Sequence, residues 1–440
     1  MNKRDFIKQI FLILLYSACK SNIKSPNSEN QTNEFKYNRF LGKRNAYLQF
    51  PTPTSITIKW RTSSPTSSLV QFGTDWGSLE NFFDSNVDFD HELIIKNLTP
   101  ETKYYYTWGS IEKPGNLDEQ QFFWTSPAVG GTDPVNIWII GDSGTKNEEQ
   151  QKVIQVYNSR SQTVPINFGI ALGDNAYDHG DDSQYQNSYF DSYSQIIKNL
   201  PIWLCLGNHE AQTNNPITQT GPYFDMFSFP REGELGGIPS KTKSYYSFEY
   251  SNIHFICLDT SLGYKNLSED SPMMDWLEQD LKSSNQTWNI AFFHHPPYSK
   301  GSHDSDYNLD LIKVREIILP ILEKYGVDLV LCGHSHNYER SILLHGHYGY
   351  SDELVPSMIL DSGSGKSPNE YKKNSKSGTV YVVNGVGAEP RLATSQHPVI
   401  YNPAKLLLGA MYLNIEGNRL LSQFINENNE VIDEFTILKN

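Results

Sequence analysis

Five short polar strings, each directly after an apolar run, constrain the fold of this chain more than any other feature. A single Gly-Asp or Gly-His pair indicates little, because such pairs are common in turns. Five strings predict five strands that end in polar loops, and an α/β sheet gathers such loops beyond the carboxyl ends of its strands. The strings are GDSG (141–144), GDNAYD (173–178), GNHE (207–210), FFHH (292–295) and GHSH (333–336).

After a Pro- and Gly-rich linker (126–134), apolar runs of strand length alternate with segments of helical periodicity. This alternation is typical of an α/β fold. Beyond residue 341 short strand-like runs return without helices, which favours a second sheet packed on the first. We therefore predict, for residues 134–440, an α/β domain with two mixed sheets sandwiched together and flanked by helices. Strands are expected at 135–140, 166–172, 202–206, 253–258, 289–293, 327–332, 380–383, 409–415, 420–425 and 434–438, and helices at 148–159, 273–283 and 309–325.

Residues 37–127 have a different pattern, with short alternating runs separated by Pro, Gly and Asn. The runs 55–60 and 68–72 alternate as half-buried strands do. Short strands at this spacing are typical of an all-β sandwich. Trp60 and the pattern LTPETKY (98–104) resemble a fibronectin type III domain. Because the region lacks a cluster of acid, base or metal-ligand side chains, we expect it to be structural.

The start of the chain has the layout of a secretory signal, with three basic residues among the first eight and an apolar stretch at 10–16. That stretch is too short to span a membrane. We expect residues 1–18 to be a signal peptide and 19–36 a polar tether. The Ser-Ala-Cys junction resembles a bacterial lipoprotein site, which would lipidate Cys19 and attach the protein to a membrane; the alternative is an ordinary signal peptide. The protein is thus expected to be exported, as a periplasmic protein, an outer-surface lipoprotein or a secreted protein.

The net charge and the cysteine positions limit which kinds of molecule the protein is expected to bind and whether it is expected to contain disulfides. The net charge is -14 over 440 residues, which argues against nucleic acid, because phosphate backbones require clustered Lys and Arg. A small anionic substrate stays compatible if metal ions supply positive charge. Cys205, Cys257 and Cys332 each lie in an apolar run, so we expect buried thiols. Nothing in the composition indicates an oligomeric state.

The first two strings offer oxygen ligands for metal ions. Asp142 and Asp174 each follow a Gly at a strand end, and Tyr177 lies three residues beyond Asp174. A phenolate oxygen is a hard, strongly donating ligand that favours trivalent iron over zinc or magnesium. Taken alone, a Gly-Asp pair is more simply a turn, and Tyr177 a packed aromatic side chain.

The GNHE string offers a ligand and a candidate acid. Asn208 has a neutral amide oxygen suited to a divalent ion. His209, on the adjacent backbone, cannot easily bind the same ion, so we expect it to face a substrate as a hydrogen-bond donor or general acid. Glu210 could orient its imidazole.

Four histidines in the last two strings complete the set. His294 and His295 are neighbours whose side chains diverge, so one of the two is expected to be a ligand. His334 and His336 are spaced so that both imidazoles can approach one site, one for each of two ions. A His-x-His pair alone is only modestly specific for metal.

In this order and at these separations, the strings resemble the metal-binding motifs of purple acid phosphatases, within the calcineurin-like metallophosphoesterase superfamily. The resemblance covers residues 134–395, and the fibronectin-like module fits the plant-type, two-domain branch. Tyr177 is the distinguishing residue, since most of the superfamily lacks it and has Asp-x-His in place of Asp142-Ser143-Gly144. Glu339 and Arg340 also match the family, and we expect them to serve in packing or a salt bridge.

The resemblance implies a dinuclear centre with Fe(III) and a divalent ion, either Zn(II), Fe(II) or Mn(II), bridged by Asp174. The family motif selects His294 as the ligand over His295, with Ala291 where Val is usual. Fe(III) would be held by Asp142, Asp174, Tyr177 and His336, the divalent ion by Asn208, His294 and His334 besides Asp174, and the candidates for catalytic contacts are His209, His303 and His295.

The resemblance further implies an acid phosphatase, in which a metal-bound hydroxide attacks a small phosphate monoester in line and His209 or His303 assists the leaving alkoxide. Two alternatives stay open: a phosphodiesterase or nucleotidase of the same superfamily, and a surface binding protein with a vestigial metal site. The natural ester is not readable, because the loops expected to contact its organic part (178–190, 211–243 and 299–306) carry no recognisable pattern.

Overall fold

The structure, a computed structural model, describes residues 39–116, 118–261, 267–363, 369–373, 377–393, 395–402 and 406–439. The expected signal peptide and tether, with Cys19, lie outside these residues. In the described part of the chain, no helix is long and apolar enough to cross a membrane. The described residues belong to one compact unit.

The strands, in chain order, are β1 (Arg44–Gln49), β2 (Ser55–Asp75), β3 (Ser78–Lys96), β4 (Lys103–Gly109), β5 (Phe122–Trp124), β6 (Val135–Ile140), β7 (Phe168–Ala171), β8 (Ile202–Leu204), β9 (Tyr246–Tyr250), β10 (Ile253–Cys257), β11 (Trp288–Phe292), β12 (Leu329–Cys332), β13 (Tyr338–Ser341), β14 (Leu343–Leu344), β15 (Ile359–Asp361), β16 (Asn369–Lys373), β17 (Val380–Asn384), β18 (Ile400–Asn402), β19 (Gly409–Glu416), β20 (Arg419–Asn426) and β21 (Val431–Lys439). The α-helices are α1 (Glu148–Ser161), α2 (Asp182–Tyr185), α3 (Ser194–Ile197), α4 (Pro222–Met226), α5 (Pro272–Ser283), α6 (Leu309–Lys313) and α7 (Leu319–Lys324).

Strands β1 to β5 form the predicted β-sandwich. Residues 55–61 of β2 pair with β1 and with the end of β3, whereas residues 68–75 of β2 pair with β4 and with the start of β3. The sequence predicted two separate strands here. The chain instead continues as one strand, because the register shifts between Arg61 and Ser68 let it bend without a turn, and Pro65 is tolerated at such an irregularity. Trp60 is buried in the sandwich core, as its pattern suggested.

Two seven-stranded sheets follow, and both mix parallel and antiparallel pairs. The first has the order β16-β21-β20-β19-β6-β7-β8 and the second β18-β13-β17-β12-β11-β10-β9. Each sheet contains a run of parallel strands, which is β6-β7-β8 at one end of the first sheet and β17-β12-β11-β10 in the middle of the second. Ala171 lies opposite Leu204 in the first run and Ile290 opposite Leu329 in the second. The carboxyl ends of these strands therefore point the same way within each sheet, which places the polar strings at sheet edges.

The sheets pack face to face and helices cover the outer sides. The ring centroid of Phe168 in β7 lies 5.5 Å from that of Phe255 in β10. Ile256, the next residue, faces the other way and packs in a second core with Leu277 of α5. On the first sheet, Tyr157 of α1 lies 4.6 Å from Trp138, centroid to centroid. The predicted fold class is confirmed.

The predicted helix at 309–325 is interrupted. Between α6 and α7 the segment Val314–Ile318 is a π-helical turn. Pro320 has no N–H to continue the i to i−4 ladder, which explains the break. The wider turn directs Arg315 inward, where its guanidinium donates to the carbonyl oxygens of Pro297 (3.1 Å) and Ser305 (2.7 Å).

The sandwich docks on the segments that follow the polar loops. Asp182, at the start of α2, accepts hydrogen bonds from Arg44 and from Arg61, the latter at 2.8 Å, and all three side chains are buried. The Tyr47 hydroxyl donates to the Met226 carbonyl at 2.8 Å. The last strand of the sandwich, β5, ends at Trp124, and the first strand of the next sheet, β6, begins at Val135. The exact domain limits, 37–127 and 134–440, stay a prediction. Cys205, Cys257 and Cys332 are buried free thiols, as expected.

Candidate metal centre

The polar strings lie in loops directly after β6, β7, β8, β11 and β12. Three of their residues have a left-handed backbone: φ is 54° at Asp142, 52° at Asp174 and 66° at His334. This conformation is strained for residues with a Cβ and persists only where the surrounding structure holds it in place. The neighbouring glycines permit the close approach of the loops, since a Cβ at Gly207 would lie 2.1 Å from Asp174 Oδ1.

A first group of donor atoms surrounds the Tyr177 hydroxyl. The hydroxyl oxygen lies 3.2 Å from Asp174 Oδ2, 3.4 Å from Asp142 Oδ1 and 3.3 Å from His336 Nε2. Both carboxylates are buried. Burial, with the charges of Asp142 and Asp174, raises the pKa of Tyr177 well above its usual value. A phenolate therefore requires a strong cation at this place.

A second group surrounds Asn208. Its Oδ1 atom lies 2.9 Å from His294 Nε2 and 2.9 Å from His334 Nδ1, and these two nitrogens are 3.2 Å apart. His294 Nε2 is also 3.3 Å from Asp174 Oδ2. One carboxylate oxygen thus belongs to both groups.

These distances fit two bound metal ions. Ligands at about 2.0–2.2 Å from one ion lie about 2.9–3.5 Å from each other in tetrahedral or octahedral arrangements. The Nδ1–H of His294 donates to the Leu172 carbonyl at 2.8 Å, which leaves Nε2 free to bind a cation. Among the described residues, no Lys or Arg lies within ion-pair distance of Asp142 or Asp174. Their ion-pair partners in the described part of the chain are the imidazoles of His209, His294 and His336, and metal ions bound by these groups would compensate the two buried carboxylates.

His294 and His295 occupy different environments. His294 contacts Asn208 and Asp174 as described, whereas His295 Nδ1 lies 2.9 Å from the Thr260 hydroxyl oxygen. A nitrogen of His295 nevertheless lies within 4.8 Å of one in His294 and one in His334. The structure therefore brings both histidines to the centre, and the contact with Asp174 favours His294 as the ligand.

His209 and His303 flank the donor groups. The His209 side chain is 31% exposed, its Nδ1 donates to the Asp178 carbonyl at 2.6 Å, and its Nε2 lies 3.8 Å from Asp174 Oδ2. The ring of His303 stacks on His334 at 3.9 Å, centroid to centroid. Both imidazoles therefore border the two donor groups.

Glu210 does not orient His209, contrary to expectation. Its buried carboxylate accepts backbone N–H groups from both loops that carry the donors, and in particular Gly207 donates at 2.8 Å and Asp174 at 2.9 Å. The other carboxylate oxygen accepts from Asn175 (2.5 Å) and Ala176 (3.1 Å). Sequence reasoning missed this role, because the partners are backbone groups that have no residue pattern. The acidic side chain two residues after Asn208 was the available signal.

Arg340 makes the expected salt bridge, and its partner is Asp433. Nε and Nη2 donate to the two carboxylate oxygens at 2.7 and 2.8 Å. Glu339 points to the opposite side and accepts from Ser299 and Lys300. Arg340 thus ties β13 to β21, whereas Glu339 reaches the loop that carries His303.

Two family models match the chain. The one described as calcineurin-like phosphoesterase covers residues 135–338, and the one described as the purple acid phosphatase N-terminal domain covers residues 44–125. Together they span more than half of the chain.

Similar proteins carry related names. A purple acid phosphatase of Glycine max is 30% identical over 312 residues, which is 65% of this chain and 62% of that protein. Acid phosphatase type 7 of Homo sapiens is 26% identical over 378 residues, 79% of this chain and 78% of that protein. The chain thus spans less than two thirds of the soybean relative.

A solved structure has the same fold. A purple acid phosphatase from yellow lupin (Lupinus luteus) seeds matches with a TM-score of 0.70 and 20% identity, over 90% of this chain and 74% of that one. At this identity the likeness concerns the fold alone.

Proposed function

The chain belongs to the purple acid phosphatase family, and from this premise we propose that it hydrolyses phosphate monoesters at a two-metal centre. The observation that carries the proposal is the pair of donor groups that share Asp174 Oδ2. Two ions held there would neutralise the phosphoryl oxygens of an ester and make a hydroxide available near neutral pH.

We assign Fe(III) to Asp142, Asp174, Tyr177 and His336, and a Zn(II), Fe(II) or Mn(II) ion to Asp174, Asn208, His294 and His334. Support for iron comes from the Tyr177 hydroxyl, which faces two buried carboxylates and requires a strongly Lewis-acidic ion to ionise. Support for His294 comes from its 3.3 Å approach to Asp174.

The chain's own histidines would act on the ester. With Nδ1–H donated to Asp178, a protonated His209 presents Nε2–H beside Asp174, where it can orient a phosphoryl oxygen or give a proton to the leaving oxygen. His303, stacked over His334, can do the same from the side of the second donor group. His295 is held by Thr260, and we assign it to orienting substrate.

The direct test is metal content together with rates on paired esters. Purified, metal-loaded protein should contain iron and a second metal, and it should hydrolyse a monoester such as para-nitrophenyl phosphate faster than its diester counterpart. A preference for the diester would instead support a phosphodiesterase. Undetectable hydrolysis of both by fully loaded protein would support a binding protein.

Tyr177→Phe tests the iron assignment. The variant keeps the ring and loses the oxygen, so the visible absorption of a tyrosinate bound to iron should disappear. Tyr185→Phe is a matched control, because that buried tyrosine lies outside both donor groups and its loss should leave the absorption unchanged. Colour that persists in Tyr177→Phe contradicts the assignment.

We also propose that the protein is exported and lipidated at Cys19, on the support of the sequence alone. Mass spectrometry of the mature N-terminus decides this, since an unmodified Cys19 or a mature terminus at any later residue would contradict lipidation.

A further inference from the structure

The His303 loop, residues 299–305, is a closed turn held by its own serines. The Ser299 carbonyl accepts the N–H of Ser305 at 3.0 Å. The N–H of Gly301 donates to the Ser299 hydroxyl oxygen at 3.1 Å. Ser299 and Ser305 are both buried, so the base of the loop is fixed while His303 lies at its tip.

Four hydrogen bonds tie this loop to the GHSH segment and to Asn337 directly after it, and one of them joins the hydroxyl groups of Ser299 and Ser335 at 2.8 Å. The N–H of Ser302 donates to Asn337 Oδ1 at 2.6 Å, and the N–H of His336 donates back to the Ser302 hydroxyl oxygen at 2.9 Å. The N–H of His303 approaches the Ser335 hydroxyl oxygen at 3.4 Å. The two segments are therefore hydrogen-bonded side by side, and the His303 ring stacks on His334.

Glu339 contacts the base of the His303 loop. Its Oε2 atom accepts the Ser299 hydroxyl at 2.5 Å, and its Oε1 atom accepts the N–H of Lys300 at 3.2 Å. The side chain is 1% exposed, and among the described residues no Lys, Arg or His forms an ion pair with it. A buried carboxylate without a cation is costly, and here both of its oxygens serve one loop.

We infer that Glu339 is a positioning residue for His303: it holds the base of the His303 loop so that the imidazole stays stacked on His334 and faces the ester. The inference rests on the proposed phosphatase function. A proton donor contributes only when it is placed correctly, and a displacement of about 1 Å can lower a rate by about 100-fold.

The kinetic test is a double-mutant cycle between Glu339→Ala and His303→Ala. Each variant is assayed with glycerol phosphate, whose leaving alkoxide needs a proton, and with para-nitrophenyl phosphate, whose leaving group does not. We expect Glu339→Ala to lower kcat on glycerol phosphate about 10- to 100-fold and to have a clearly smaller effect on the nitrophenyl ester. The double variant should be no slower than His303→Ala alone. Losses that multiply, or that are equal for both esters, overturn the inference.

Two further variants separate positioning from general damage. Glu339→Gln keeps both contacts, because its amide oxygen can accept from Lys300 and its amino group can donate to the Ser299 oxygen, so it should retain most of the rate on glycerol phosphate. Asp280→Ala removes another buried carboxylate, which lies in α5 and binds His254 and the N–H of Ile238, and it should not change the ratio of the two rates. A Glu339→Gln variant as slow as Glu339→Ala contradicts the role assigned to these contacts.

Hydrogen exchange gives a readout that does not depend on turnover. In Glu339→Ala, the amides of residues 301–305 should exchange faster, while those of α1 stay protected. Unchanged protection overturns the inference. If the metal-loaded wild type hydrolyses neither ester, the proposed function fails, and the exchange experiment still decides whether Glu339 holds the loop.

Discussion

Single residues at the centre are held by backbone groups as much as by side chains. Asp174 has a left-handed φ of 52°, and its N–H together with that of Gly207 donates to Glu210. Glu210 therefore fixes two loops that come from different strands. Its carboxylate is suited to this because it is only an acceptor, with enough lone pairs for four N–H groups.

At this scale we predict that Glu210→Gln weakens metal binding about 10- to 100-fold, as loss of an outer hydrogen-bond partner does at metal sites. The amino group of Gln would face N–H donors and leave two of them unpaired. Competition with a chelator measures the change. Glu323→Gln is the control, because Glu323 is equally buried but binds Tyr381 and Tyr348 away from the centre. Equal metal affinity in Glu210→Gln and the wild type would show that the loops do not need the carboxylate.

At the scale of elements, strand β13 carries two adjacent buried charged residues, Arg340 and Glu339, whose side chains point to opposite sides and make different contacts. Arg340 is compensated by Asp433, whereas Glu339 is uncompensated. Burial raises the pKa of Glu339 from 4.5 to about 7, although its hydrogen bonds from Ser299 and Lys300 lower it, and the charge of nearby Asp304 adds to the rise.

The shift predicts a pH dependence of stability. Between pH 4.5 and about 7, native Glu339 keeps a proton that the unfolded chain has lost, so its contribution becomes less favourable as the pH rises. Over this interval Glu339→Gln should gain up to about 3 kcal/mol of unfolding free energy relative to the wild type. Urea unfolding of both metal-free proteins at pH 5 and pH 7.5 measures the difference. A difference that is the same at both pH values would place the pKa of Glu339 near its ordinary value.

At the scale of the whole molecule, the sandwich is anchored to the catalytic region by buried charge. Asp182 receives Arg44 and Arg61 from the sandwich and begins the helical segment that follows the Tyr177 loop. We predict that Arg44→Met lowers the unfolding free energy by about 3–5 kcal/mol, because it leaves part of a buried carboxylate unpaired. Thermal or denaturant unfolding measures this.

The control is Arg39→Ala, which removes an ion pair with Asp90 between half-exposed side chains. Such exposed ion pairs contribute about 0–1 kcal/mol to the unfolding free energy. Equal effects of the two substitutions would mean that the buried junction contributes no more than an exposed pair.

The sequence predicts the parts of this molecule that periodicity and strand ends encode. The two sheets, the sandwich and the loops with Asp142, Asp174 and His334 follow from apolar runs and from what comes directly after them. The continuous strand β2, the π-helical turn before Pro320 and the bonds of Glu210 and Glu339 depend on which backbone groups tertiary packing brings near. No pattern of side chains specifies those contacts.

The shared oxygen of Asp174 has a thermodynamic consequence. Two ions that shared the Asp174 carboxylate would not bind independently. The first ion to bind would fix the position of this side chain and offset its negative charge, and both effects would change the affinity for the second ion. By reciprocity, each ion must change the affinity for the other by the same factor. The centre would then fill as a coupled pair, and its two occupancies would carry one joint free energy instead of two separate ones.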